Sequence, residues 1–310
     1  MEFYLWKDYR CAYDRVPTKC VPNSRSNAAP DGAPSLLLIH PIGVGLSRRF
    51  WQPFIQQWTQ TNGPARIYNL DLLGCGESDM PQRAYTPQDW AEQLAFFIEQ
   101  VAESPVVLVV QGALLPVAIE LMALAGDRIA GLVLSGPPAW PLMSSQSPEW
   151  KTQLAWRLLS SPLGSAFYRY ARRESFLQSF SERQLFENAK DVTDDWLAML
   201  HAGSRDMDSR YAVFSFLAGF WRQDYSSAIA RIQQPVLVVM GEAASTIDRN
   251  VAKQADSSST ASRDRLQDYL DRFPRAKGVC ISGRNVPPYE STAEFVQATA
   301  SFITDLDKFA

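Results

Sequence analysis

The sequence predicts an α/β protein: a predominantly parallel, doubly wound sheet interrupted once by an α-helical insertion. Three observations carry that expectation. Short, almost unbroken apolar runs recur along the chain, as strands covered on both faces require. Amphipathic stretches of helical period separate them, and strand alternating with helix builds a parallel sheet through right-handed crossovers. The alternation lapses between 140 and 231, where helical segments follow one another without a strand-like run. With 310 residues, 46% hydrophobic and 20% charged, the chain can bury about three quarters of its unfolded surface, which excludes a disordered or fibrous class.

Along the chain, the first twenty residues (with FYLWKDYRCAY) read as a hairpin or meander, and 22–34, rich in Asn, Ser, Ala and Pro, as a loop. Strands are expected at 35–40 (SLLLIH), 65–72 (ARIYNLDL), 106–110 (VVLVV), 129–135 (IAGLVLS), 236–240 (VLVVM) and 277–282 (KGVCIS). Helices are expected at 50–61, 87–102 and 292–308. The window 106–125 has Glu120 as its only charge and is long enough to span a membrane. Its β-branched run, Gln-Gly break and helical LLPVAIELMALAG before Gly126 instead describe a buried strand feeding a buried helix, so no transmembrane segment is expected. The expected organisation is a core from 1–139 and 232–310 around a helical unit at 140–231. That unit holds 16 of the 36 aromatics between 140 and 225, which serve its own small core, an apolar ligand or a docking face. A polar insert at 243–263 resembles a mobile loop.

Lys plus Arg number 30 against 33 for Asp plus Glu, a net charge of −3 without long single-sign blocks. No chain-wide basic field exists to hold nucleic acid or an anionic membrane, so partners must be argued from individual sites. Cys11, Cys20, Cys75 and Cys280 form no C-x-x-C pair; they read as free thiols of a reducing, cytoplasmic protein and not as metal ligands, and no cofactor is expected. Residues 1–10 lack the apolar core of a signal peptide. Histidine is the scarcest chemical resource: His40 and His201 are the two imidazoles of the chain, so any mechanism needing a base near neutrality has two candidates.

Three landmarks in order resemble the α/β-hydrolase family over nearly the whole chain. His40-Pro41-Ile42-Gly43, followed by Trp51, is similar to its oxyanion loop. Residues 71–78 (DLLGCGES) are similar to its D-x-x-G-x-G-x-S turn, and 283–290 (GRNVPPYE) to the G-x-G-H-x-P-x-x-E stretch before the last helix. The helical insertion falls where such enzymes carry a cap. The family chemistry needs a nucleophile on a tight strand-to-helix turn, an acid after the next core strand and a histidine base. The resemblance places Gly112 at the nucleophile, or Ala113 in a register one residue later, Ala244 at the acid and Asn285 at the base. Neither Gly nor Ala can attack, and an amide cannot act as general base near neutral pH.

Other groups offer little replacement. His40 lies in the oxyanion loop, where the resemblance implies support of that loop, and His201 reads as a surface or core residue of the insertion. Cys75 reads as a packed thiol in the 71–78 turn. Glu242 and Asp248 flank the missing acid. Arg48, Arg49 and Arg284 could charge the rim, although surface positions are the default for arginine. The expected ligand site comprises His40, Ile42, Gln111, Gly112, Ala113 and Asn285, with the Ile42 and Ala113 N–H groups as the counterparts of the oxyanion donors. Residues 71–81 also resemble capped hydrolases acting on bulky apolar substrates, including dehalogenases, epoxide hydrolases and plastid esterases of chlorophyll breakdown. The first two chemistries need an Asp at the elbow, so a bulky apolar ligand is what that likeness implies. The expectation is a non-catalytic member binding a hydrophobic small molecule or a protein partner. The competing reading is an enzyme with relocated residues, an ester hydrolase or a lyase-like catalyst whose oxyanion site polarises a carbonyl.

Overall fold

In the computed structural model, which describes residues 1–16, 34–61, 66–102, 105–245 and 261–306, the apolar runs pair into one sheet. Its strands are β1 (Glu2–Trp6), β2 (Tyr9–Val16), β3 (Ser35–Ile39), β4 (Ile67–Leu70), β5 (Val106–Gln111), β6 (Ile129–Ser135), β7 (Val236–Gly241) and β8 (Ala276–Ile281). They lie in the order β1-β2-β4-β3-β5-β6-β7-β8. From β4 to β8 every pairing is parallel, and β1 and β2 form an antiparallel edge. The expected hairpin is present: Lys7 and Asp8 both take positive φ, 46° and 67°, the backbone of a two-residue turn whose twist suits a β-ribbon. The loop expected at 22–34, apart from Pro34, and most of the polar insert at 243–263 lie outside the described residues.

Side-chain alternation divides the apolar residues between the two faces. Val106, Leu108 and Val110 join the side packed by α2 (Pro87–Gln100) and α3 (Leu115–Ala125). Val107 and Val109 join the side packed by α1 (Gln52–Thr61) and the last helix, Thr292–Thr304. The capping box of α2, in which Thr86 accepts from Asp89 N–H while Asp89 accepts from Thr86 N–H, fixes where that helix starts. Strand and helix ends match expectation or differ from it by up to four residues. The helix expected from residue 50 begins two residues later, after a 3₁₀ turn at Arg48–Trp51.

From β3 the chain passes to β4 on one side and then returns to β5 on the other. The loops leaving the carboxyl ends of β3 and β5 therefore diverge and open a crevice, the usual ligand position in a parallel sheet. Ile39 pairs with Val110, which sets His40 level with Gln111.

Between β6 and β7 the chain forms α4 (Trp140–Ser144), α5 (Glu149–Leu159), α6 (Pro162–Ala171), α7 (Glu174–Phe180), α8 (Asp194–Gly203), α9 (Arg210–Ala218) and α10 (Ser226–Ile229), with no strand among the described residues. Half of its aromatics are buried and serve as packing. Ring contacts and a backbone contact are among those that fasten it to the core. Trp196 and Phe186 meet Phe50 and Tyr289 of the core, with Trp196 and Tyr289 centroids 4.7 Å apart. The loop after β3 also touches the end of α8 backbone to backbone: a Cβ on Gly45 would stand 1.9 Å from the Leu200 carbonyl oxygen, and one on Gly203 2.1 Å from that of Gly45. Phe186 is fully buried at this junction, so Phe186→Ala should lower unfolding free energy by about 3 to 5 kcal/mol in urea titration. A loss below about 1 kcal/mol would mean that the junction does not carry the insertion.

Candidate functional site

The crevice is bounded by the turn after β5. Gln111 ends the strand, Gly112 takes φ +63°, and one 3₁₀ turn, Gly112–Leu114, intervenes before α3 starts at Leu115. The helix thus begins three residues later than a direct strand-to-helix passage would place it. A left-handed residue on so sharp a turn is easiest for glycine. Space is not the constraint there, because a Cβ at Gly112 would meet no atom within 4 Å. The turn therefore aims its central residue into open space and supplies no side chain. Ala113, half-buried, follows it.

Opposite stands the loop after β8, and its centre is Asn285. The side-chain amide donates from Nδ2 to the Gln184 carbonyl at 2.7 Å and more weakly to Ser245 Oγ at 3.4 Å, while Oδ1 accepts from Ser245 N–H at 3.2 Å. Its backbone N–H donates to the Leu185 carbonyl at 3.0 Å, and its own carbonyl accepts from Gln111 Nε2 at 2.8 Å. One residue thus joins the insertion, the loop after β7 and the elbow strand. Ala244, beside Ser245, is buried and has no ionisable atom. Gly112, Ala244 and Asn285 are carried by turns that these bonds hold together.

A second tie reinforces the first. The Glu290 carboxylate accepts from Arg284 N–H at 2.7 Å and from Glu187 N–H of the insertion at 2.5 Å, and burial pushes its pKa up. Arg284 Nη1 donates to the Arg183 carbonyl. Neither Gln184, Leu185 and Glu187 nor Ser245 was visible as a site residue in the sequence: they act mainly through backbone groups, and the insertion residues lie about a hundred positions from their partners. Behind the elbow, Gln111 Oε1 and Ser135 Oγ, on paired residues of β5 and β6, are buried without a hydrogen-bond partner.

His40 does not join the groups facing the crevice, a correction to its place among the expected ligand residues. It has no exposed surface; its ring accepts at Nε2 from Leu72 N–H at 3.1 Å, which leaves Nδ1 to donate to the Pro41 carbonyl at 2.9 Å. Burial lowers its pKa to about 4. Ile42, two residues on, is almost fully buried. His201 is exposed at the end of α8, 3.7 Å from Glu174. Arg48 corrects the surface expectation: it is buried and pairs with Asp71, Glu77 and Asp14. Asp71 also accepts the Arg48 and Glu77 backbone N–H groups, and a Cβ on Gly76 would lie 2.2 Å from its carboxylate, so the 71–78 turn is built around this pair. Burial raises the Cys75 thiol pKa far above the ordinary range, which fits a packed thiol and not a nucleophile. Cys11 and Cys280 are likewise free, Glu242 is exposed, and Cys20 and Asp248 lie outside the described residues. Between this turn and α8, a cavity of about 360 Å³ is lined by Ser47, Arg49, Glu77, Arg205 and Asp206 among others, a charged recess distinct from the elbow.

The model of the alpha/beta hydrolase family matches residues 36–298. The chain belongs to the α/β-hydrolase family. Among solved structures it is similar to the enol-lactonase from Burkholderia xenovorans (15% identity, TM-score 0.70, covering 98% of this chain and 100% of that one). It is also similar to a thermophilic esterase from Thermogutta terrifontis (18% identity, TM-score 0.66, 96% and 94% covered) and to a hydrolase from Pseudomonas aeruginosa (18% identity, TM-score 0.66, 97% of each). At such identities the likeness is one of fold. No curated protein sequence matches the chain.

The position of His40 sets a pH dependence. Its ordinary pKa of 6.5 falls to about 4 on folding, so between those values the unfolded chain binds a proton that the folded chain refuses. The contribution of His40 to stability therefore falls as pH drops from about 6.5 to about 4, by about 3 kcal/mol in all. Burial raises the Asp71 carboxyl to about 6, which acts in the opposite sense over much of this range, so the His40 slope is read as the difference between urea titrations of the parent chain and of His40→Gln. An unchanged slope in the variant would place the effect elsewhere.

Proposed function

We propose that this α/β-hydrolase lacks the nucleophile, acid and base of its family, the three positions being Gly112, Ala244 and Asn285, and that it binds a hydrophobic small molecule or a protein partner without turning it over. In this reading 140–231 is a cap on a core of 1–139 and 232–310. The observation that carries the proposal is the elbow itself. Gly112 holds the positive φ of a nucleophile turn and its missing side chain would enter open space. The Asn285 amide supports the same reading, since both ends of it are spent on tying the cap and the loop after β7. Gln111 Oε1 and Ser135 Oγ offer unfilled hydrogen-bonding capacity to a ligand or a buried water behind the elbow.

Magnitude separates this reading from an enzyme. A hydrolase stripped of its triad keeps roughly 10³ to 10⁴ over water through its oxyanion donors and binding alone, against roughly 10⁶ or more for a working one. Purified protein should therefore turn over p-nitrophenyl esters no faster than such a remnant, and no single side-chain substitution should abolish the trace. Turnover at rates ordinary for the family, lost on replacing one Ser or Cys, would overturn the proposal in favour of relocated catalysis.

The geometry also says what restoring chemistry requires. Gly112→Ser should fold at a cost of about 1 to 2 kcal/mol for the left-handed backbone, because the space is open. Ester hydrolysis should stay at background until Asn285→His and Ala244→Asp are added. A single Gly112→Ser variant with full esterase activity would show that a base already faces the elbow.

A further inference from the structure

The outer face of the insertion carries a feature that the elbow does not use. Helices α5 and α6 form a hairpin whose inner side is spent on packing: Tyr168 is buried with Val213 and Phe214 of α9, and Trp156 and Leu159 lean on them. Its outer side is apolar as well. Trp150, Leu154 and Leu158 recur every four residues along α5 and are 64%, 59% and 58% exposed; Leu163, Phe167 and Tyr170 line α6 and are 71%, 42% and 52% exposed. Leu158 and Leu163 flank the Ser160-Ser161 turn, so the two stripes meet. Gly164 lets the helices close there, since a Cβ on it would lie 1.7 Å from the Leu159 carbonyl oxygen. Six large apolar side chains on one surface hairpin exceed the scattered singles of an ordinary protein surface.

Charge selects the occupant. Residues 149–173 hold five cations, Lys151, Arg157, Arg169, Arg172 and Arg173, against the single carboxylate Glu149, in a chain whose net charge is −3. Lys151 lies over the Trp150 ring and Arg173 over the Tyr170 ring, so two of the cations sit against the aromatics of the stripe. Glu174 follows at the start of α7, beside His201. A second copy of the chain docked about a two-fold axis would bring these cations against one another. Aliphatic and aromatic side chains flanked by Lys and Arg on short helices are the pattern that seats in the boundary between lipid headgroups and acyl chains. No helix of the described residues is long and apolar enough to cross a membrane, and surface seating needs none.

We infer that the α5–α6 hairpin docks on the surface of an anionic lipid bilayer, with its apolar stripe in the headgroup boundary and its cations on the lipid phosphates. This contact is independent of whether the elbow is catalytic. The test is flotation of the full chain with vesicles of phosphatidylcholine alone and of phosphatidylcholine mixed with phosphatidylglycerol. Binding should be at least about tenfold stronger to the anionic vesicles and should weaken as salt rises. Leu154→Ser with Leu163→Ser, and separately Arg157→Glu with Arg169→Glu, should each reduce it at least about tenfold while circular dichroism and the urea midpoint stay near those of the parent chain. These substitutions lie on exposed positions, so a folding defect is separable from a binding one. Absence of vesicle binding, or equal binding by both double variants, overturns the inference. So does a concentration-dependent dimer that the Leu154→Ser, Leu163→Ser pair abolishes, which would assign the face to a second copy.

Discussion

The crevice is tied together at one residue, through both its side-chain amide and its backbone. Asn285 receives or donates five hydrogen bonds, and these reach the insertion through Gln184 and Leu185, the loop after β7 through Ser245, and the elbow strand through Gln111. Three pieces of chain far apart in sequence meet at that residue. A side chain so used is fixed in place, because each satisfied polar group would cost free energy to release into a partly buried site. The family histidine needs the opposite arrangement, one ring nitrogen free to exchange a proton with the elbow.

The rest of the site follows from that tie. The Glu290 carboxylate and the Phe186, Trp196, Tyr289 and Phe50 rings fasten the same junction on either side, and the contact of Gly45 with α8 holds the loop after β3 beneath it. The insertion is thereby seated on the core by polar and apolar contacts together. The elbow places a glycine at positive φ, where a non-glycine residue would bear strain. Shape is kept there by backbone geometry, while His40, the nearest imidazole in sequence, is spent on Leu72 and Pro41 inside the core.

The sheet was largely legible because its strands declare themselves locally. Runs such as VVLVV and SLLLIH are buried on both faces and need no context. The ends were less legible: the 3₁₀ turns at Arg48–Trp51 and Gly112–Leu114 arise from tight loop geometry that composition does not mark. Arg48 was misjudged since its burial depends on Asp71, Glu77 and Asp14 converging from three segments. The ties of Gln184, Leu185 and Glu187 were invisible for a related reason, as backbone carbonyls and amides look the same at every position of a sequence. The exposed stripe of α5 and α6 has the same period as a core stripe, and only the packing of the opposite face shows which way it points.

The central claim is that no side chain at the elbow can form a covalent intermediate. The most direct measurement is the intact mass of the protein after exposure to a serine-reactive fluorophosphonate, read alongside an active esterase of the same fold. The account predicts an unmodified mass for this chain under conditions that label the esterase to completion. A stoichiometric adduct mapped to a single residue beside Gly112 would contradict it.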